Sequence, residues 1–194
     1  FFIPKQPLKN QNITEKKKIE QNSDTPILEQ KETIITISRD EALKQNERIE
    51  FENSNIVGSI SLKGASIDDL TFKNYKVDLN KEKKITLLAP RNINEGYLVE
   101  SGFVTTDKNI NIPNSDTVWS IIGNNKLTNK NPIKLSWKNN QGITFEKEIM
   151  LDDEYLFTIK QKVINETNKK YDFFSYGQII RNQIPDITDF YILH

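Results

Sequence analysis

From Arg48 onward the chain runs through ten short segments rich in β-branched and aromatic residues: "RIEFEN", "NIVGSISLK", "IDDLTFKNY", "ITLLA", "YLVESGFVTT", "TVWSII", "IKLSWKN", "GITFEKEIML", "YLFTIKQKVIN" and "YDFFSYGQIIRN". Clusters such as Asn124-Asn125 and Asn139-Asn140-Gln141-Gly142 separate some of them and supply turn chemistry. The last of these segments alternate, with Ile143, Phe145 and Ile149 punctuated by Lys147 and Glu148, then Tyr155, Phe157 and Ile159 against Thr158 and Lys160. Such alternation is that of antiparallel strands with one buried face. No amphipathic helix alternates with the strands, which excludes a doubly wound α/β fold and leaves an all-β, antiparallel sandwich. One short helix is expected near residues 39–46, because Ser38 and Glu41 have the S-x-x-E spacing of a capping box.

Upstream the texture is different. Residues 5–32, "KQPLKNQNITEKKKIEQNSDTPILEQKE", carry isolated Ile and Leu at no fixed period, too little apolar area to offset the entropy of ordering. The spacing predicts a disordered, membrane-proximal tether over residues 1–32 and a folded domain over 33–194, starting with the β-branched "TIITIS". Lys16, Lys17 and Lys18 are flanked by Glu15 and Glu20, the pattern of a solvated linker rather than a phosphate patch. The start, Phe1-Phe2-Ile3-Pro4, has no Met and is compatible either with the exit of a removed transmembrane helix or with an apolar start to a trimmed chain.

The composition excludes several chemistries. Lys plus Arg and Asp plus Glu number 27 each, so no net field draws the chain to nucleic acid. There is no Cys, and the single His is His194, which removes thiol nucleophiles, Cys/His zinc sites and a His-based triad. What remains is carboxylate chemistry, and Asp68 and Asp69 in "VGSISLKGASIDDLTFKNY" are the candidates. In a regular strand they point to opposite faces and make a poor acid–base pair. Ile56, Gly58, Ile60 and Leu62 share one face, Gly64-Ala65-Ser66 interrupts, and Leu70 and Phe72 resume, so turn or backbone hydrogen bonding is the expected role of the two Asp. A catalytic role requires a distant carboxylate such as Asp152, Asp153 or Glu154 to come close. Trp119 and Trp137 are candidates for stacking on a sugar, but their strand-forming neighbours assign them to the core. Asn12 and Asn165 head Asn-x-Thr sequons that arise by chance in an Asn-rich chain.

The same stretch carries a resemblance. "GSISLKGASIDDLTFKNY", with Tyr75 five residues after Leu70, is similar to the signature of the large periplasmic domain of the YidC membrane-protein insertase family, alphaproteobacterial type. Further blocks follow in order: "ITLLAP" to Pro90, "YLVESGF" from Tyr97 to Phe103, "DTVW" to Trp119, Leu135 to Thr167, "SYGQIIR" to Arg181 and the closing "FYILH". The resemblance covers roughly residues 33–194 and implies the N-terminal part of that domain, truncated at its C-terminal end. It implies a β-super-sandwich of the galactose-mutarotase-like kind and a location in the periplasm of a protein of the bacterial inner membrane. It also implies a function in inserting and folding inner-membrane proteins, alone or with the Sec translocon, as a chaperone rather than an enzyme. Implied partners are Sec translocon components, nascent inner-membrane proteins and, through removed transmembrane helices, the membrane. No residue is thereby assigned a catalytic, cofactor-binding or metal-ligating role, and no cofactor is expected. The alternative is a carbohydrate- or hydrophobic-ligand-binding module. The final segment "DITDFYILH", with the uncharged run Phe190, Tyr191, Ile192 and Leu193, is expected to lie poorly packed at an open edge.

Overall fold

The computed structural model describes residues 37–184. The tether over 1–32, most of "TIITIS" and the segment "DITDFYILH" lie outside the described residues. Among the described residues one helix is present, α1 (Arg39–Leu43). Ser38 caps it, accepting from the Glu41 N–H while its own N–H donates to the Glu41 carboxylate at 2.9 Å, so both halves of the capping box form. The helix is shorter than the expected 39–46. Leu62 donates to the Glu47 carbonyl at 2.9 Å, so the backbone just after the helix is already taken up by the sheet.

Eleven strands follow: β1 (Arg48–Glu52), β2 (Ile56–Ser61), β3 (Ser66–Lys76), β4 (Lys84–Leu88), β5 (Tyr97–Thr105), β6 (Ser120–Ile122), β7 (Lys126–Leu127), β8 (Ile133–Lys138), β9 (Ile143–Leu151), β10 (Phe157–Asn165) and β11 (Phe173–Arg181). They form a seven-stranded sheet in the order β11-β5-β3-β2-β1-β7, with β4 also on β3, and a four-stranded sheet in the order β10-β9-β8-β6. All pairings are antiparallel except a two-residue parallel pair, Glu50 with Lys126 and Phe51 with Leu127. That exception arises because the chain leaves the small sheet after β6, touches β1 as β7 and returns as β8.

The core lies between the sheets. Ile49, Phe51, Ile60 and Leu127 from the large sheet meet Ile133, Leu135, Ile143 and Phe145 from the small one, all fully buried. Burying each such side chain contributes about 1.5–3 kcal/mol. Rings cross the interface edge to face or tilted, Phe51 with Phe157 and Phe103 with Phe145, each pair at 5.1 Å. The β9 pattern is the clearest alternation in the chain, with Ile143, Phe145, Lys147, Ile149 and Leu151 all inward. A smaller cluster of Ala42, Ala89 and Ile93 with Ile37 seats α1 on the β4–β5 connection.

The turn before β3 needs left-handed backbone: Gly64 has φ +74° and Ala65 has φ +50°. Gly64 adopts this freely, whereas Ala65 does so at a cost of about 1 kcal/mol or more. At the other side of the sandwich, β10 and β11 each pair along one edge only among the described residues. Ile179 of β11 pairs with the core-facing Val99, yet it is 68% exposed.

Candidate functional site

The two adjacent carboxylates sit where β3 is irregular. Ser59 of β2 pairs with Asp69, but the next residue, Ile60, pairs with Ile67, so Asp68 is an extra residue in the ladder. A β-bulge of this kind lets consecutive side chains leave the usual two-face alternation. The expectation that Asp68 and Asp69 diverge holds for a regular strand; the bulge removes it, and both carboxylates join one hydrogen-bonded group. Arg48 donates to Asp68 and, through Nε, to the Ser59 hydroxyl at 2.7 Å. Ser59 in turn donates to Asp69 at 2.6 Å, and Arg39 from α1 donates to the other Asp69 oxygen. The partners are therefore mainly two arginines and a serine rather than turn backbone.

Both Asp residues are buried. Burial pushes the Asp68 carboxyl above its ordinary value, with Arg48 opposing that shift and Asp69 adding to it. A general acid or base must exchange its proton with a substrate. Asp69 has both oxygens occupied, and Asp68 lies against Arg48, so the pair holds strands and helix together. Beside it lies an open depression of about 430 Å³ whose polar lining includes Arg39, Glu50, Glu52, Ser59, Asp69 and Lys126.

Asp152, Asp153 and Glu154 do not reach this group. They form the β9–β10 turn, where the Asp152 carboxylate accepts from the N–H groups of Glu154 and Leu156, each at 2.9 Å. Asn53 clamps the same turn, donating to the carbonyls of Asp152 at 3.0 Å and Glu154 at 2.9 Å. Asn165 likewise caps its own turn, accepting from the Thr167 N–H at 2.9 Å. Trp119 is buried in the core, and Trp137 is half-buried with its ring 5.9 Å from Phe145.

Sequence reasoning missed Lys147. It points into the sandwich from β9, is only 1% exposed, and donates to the Ser101 carbonyl at 2.6 Å with Nζ 4.9 Å from the Trp119 ring centre. The reason lies in the sheet: β3 pairs with β5 at a single position, Ile67 with Val99, leaving the later part of β5 without β3 beside it. Lys147 satisfies one of the carbonyls there. Burial pulls its amine down from 10.5 to about 8, with Glu100 pulling the other way. Glu100 is itself held by Arg91 and, at 3.0 Å, by Gln178. The cavity beside them is about 10 Å³, room for no more than one water-sized group.

A third feature is apolar. Under β3 and β4 a depression of about 420 Å³ is lined by Ile56, Leu70, Phe72, Tyr75, Leu87 and Tyr155. It offers contact area for a hydrocarbon chain and almost no hydrogen-bonding groups. Among the described residues no group of three or more His, Cys, Asp or Glu is placed to hold a metal ion, and no helix is long and apolar enough to cross a membrane.

A family model described as the YidC periplasmic domain matches residues 48–194. A membrane protein insertase YidC from Pelagibacter ubique is 61% identical over 194 residues, covering 100% of this chain and 35% of the relative. The insertase of the same name from Brucella suis is 39% identical over 160 residues, 81% of this chain and 26% of the relative. That from Rickettsia canadensis is 39% identical over 151 residues, 77% and 27%. The chain thus spans about a third or less of the length of these relatives, and the region it matches is the periplasmic one. On this match and these identities, the chain belongs to the YidC periplasmic-domain family.

Proposed function

We propose that these residues form a non-catalytic periplasmic scaffold of a membrane-protein insertase of the inner membrane, which assists insertion and folding of inner-membrane proteins alone or beside the Sec translocon. The observation that carries this reading is the engagement of Asp68 by Arg48, and of both Asp69 oxygens by Arg39 and Ser59, in a chain 61% identical to a named insertase. The one carboxylate pair that sequence offers for catalysis is spent on holding β1, β2, β3 and α1. Partners on this reading are Sec components and emerging membrane proteins, met weakly by the domain alone and effectively once membrane tethering raises local concentration. The uncovered inner face at Ile179 supports a sandwich completed by further strands of the longer protein, with residues 1–32 as its tether.

The test is deletion of residues 33–194 from the full-length protein, followed by an insertion assay with a model inner-membrane substrate. Most insertion is retained on this reading; complete loss at normal protein levels overturns it. A second reading, hydrophobic-ligand binding, has the apolar depression at Phe72 and Tyr155 in its favour. Saturable binding of a fatty acyl probe that Leu87→Asp, at an exposed position of the lining, abolishes with folding intact would select it.

A further inference from the structure

The β3–β4 hairpin is the most unusual surface on the domain. Its tip, Val77 to Lys83, leaves the sheet, and Leu79 there is 96% exposed and Val77 57% exposed. Between Lys73 and Leu88 the sequence carries five lysines, Lys73, Lys76, Lys81, Lys83 and Lys84, against two acids, Asp78 and Glu82, in a chain whose total charge is zero. Lys73 is paired with Glu52 at 2.7 Å, Lys76 with Glu82 at 2.8 Å and Lys81 more loosely with Asp78 at 3.9 Å, while Lys83 and Lys84 are in no ion pair among the described residues. An exposed leucine and valine ringed by surplus lysine is poor design for solvent. It is the pattern that lies at an anionic lipid interface, apolar side chains dipping between headgroups and lysines meeting phosphate.

The hairpin's place in the fold points the same way. One depression of about 920 Å³ is lined by Val77, Lys83 and Lys84 from the hairpin, by Arg39 at the start of α1, and by Arg181 and Ile184 at the end of the described chain. The start of α1 and the end of β11 therefore meet the hairpin base around one depression, where Arg39, Lys83, Lys84 and Arg181 outnumber Asp40 and Glu95. We infer that the β3–β4 hairpin rests on the anionic phospholipid surface of the bilayer, with Leu79 and Val77 inserted among headgroups and Lys81, Lys83 and Lys84 on lipid phosphates. This rests on the reading of the domain as part of an inner-membrane protein and adds to it a contact outside any transmembrane segment.

The test uses the full-length protein reconstituted in vesicles containing phosphatidylglycerol, with a fluorophore on Leu79→Cys and, separately, on Lys160→Cys of β10. The 194 residues hold no native Cys, so these labels are unique within the domain. Headgroup-nitroxide lipids should quench position 79 at least twofold more than position 160. The difference should vanish in pure phosphatidylcholine or in high salt, since each lysine contributes about 1 kcal/mol near an anionic surface and salt screens it. Lys83→Glu with Lys84→Glu should weaken the contact about tenfold or more. Melting temperature confirms that these exposed substitutions leave the domain folded. Equal quenching at both positions, or quenching unchanged in phosphatidylcholine, overturns the inference. So does a position-79 label that escapes lipid quenching yet crosslinks to a protein. Quenching needs no insertion activity, so the outcome is independent of the deletion experiment above.

Discussion

Arg48 of β1 spans β2 to reach Asp68 of β3, and on the way its Nε holds the Ser59 hydroxyl at 2.7 Å. One guanidinium thus ties three adjacent strands at the bulge, and both it and Asp68 are largely withdrawn from water. Removing one member of a buried pair leaves the other charge uncompensated, which costs about 3–5 kcal/mol. Arg48→Met should lose stability of that order at neutral pH. The folded Asp68 pKa lies above its ordinary 3.8, so the folded state holds the proton more tightly than the unfolded chain. Its stabilising contribution is full below 3.8 and is lost as pH rises through the folded value. Taking away the opposing arginine pushes that value higher, so the deficit of Arg48→Met should shrink on acidification. Urea unfolding at a series of pH values reads both effects, and a pH-independent deficit would count against them.

Lys147 makes the opposite prediction at the alkaline end. Its amine is held at about 8 against 10.5 in the open chain, so between those values the unfolded state binds more protons than the folded one. Stability should therefore rise with pH across that window, by on the order of 3 kcal/mol in total. In Lys147→Met this rise should be absent, although the unpaired Ser101 carbonyl offsets part of the gain from removing a buried charge. The difference between the two pH profiles is the measurement, because it cancels every other titrating group.

Gly58 faces the core at the point where β2 passes beneath the bulge. A Cβ there would overlap the Asp69 carbonyl oxygen and lie 2.6 Å from the Phe51 ring. Backbone cannot give way as a side chain can, so Gly58→Ala should cost about 1–3 kcal/mol. A melting temperature equal to that of the native chain would show that the strand shifts more easily than its packing implies.

Asn53 is a small group with a large span. Its carbonyl oxygen accepts from the N–H groups of Asn55 at 2.8 Å and Ile56 at 3.0 Å, while its amide donates to two carbonyls of the β9–β10 turn. Asn53→Ala should loosen that turn, with faster amide exchange at Asp152 to Leu156 and a stability loss of about 1–3 kcal/mol. Exchange unchanged in the turn would show that its other anchors, among them Asn55, which donates to the Asp153 carbonyl at 3.1 Å, hold it without Asn53.

The two-sheet architecture was legible because most strands bury one face and announce it in a period of two. Ile56, Gly58, Ile60 and Leu62 share the inner face as the alternation requires, and the S-x-x-E cap marked the helix start. The bulge was overlooked, although its mark is in the sequence: Ile67 and Leu70 both face inward yet stand three apart, one residue more than an even strand allows. Lys147 reads as punctuation by its charge, although it keeps step with Ile143, Phe145, Ile149 and Leu151. The partners of the acidic pair were beyond local reading, since Arg39 lies 30 residues from Asp69 and Arg48 lies 20 from Asp68. Only the folded register brings such residues together.

The sheet order also sets a timetable. A periplasmic chain threaded N-terminus first presents β1 to β4 as successive neighbours, each able to zip to the one before it. β5 cannot finish this way, because it touches β3 at one residue and its long partner is β11, with Thr105 opposite Phe173. Until Phe173 to Arg181 emerge, one flank of β5 stays bare while β7 joins the far edge of its own sheet and β6, β8, β9 and β10 assemble opposite it. A bare flank during export is the moment of greatest exposure to a stray strand from another chain. The interval between the appearance of Thr105 and that of Phe173 is thus the vulnerable period of this domain's biogenesis, and slowing export within it should raise misfolding more than slowing it earlier.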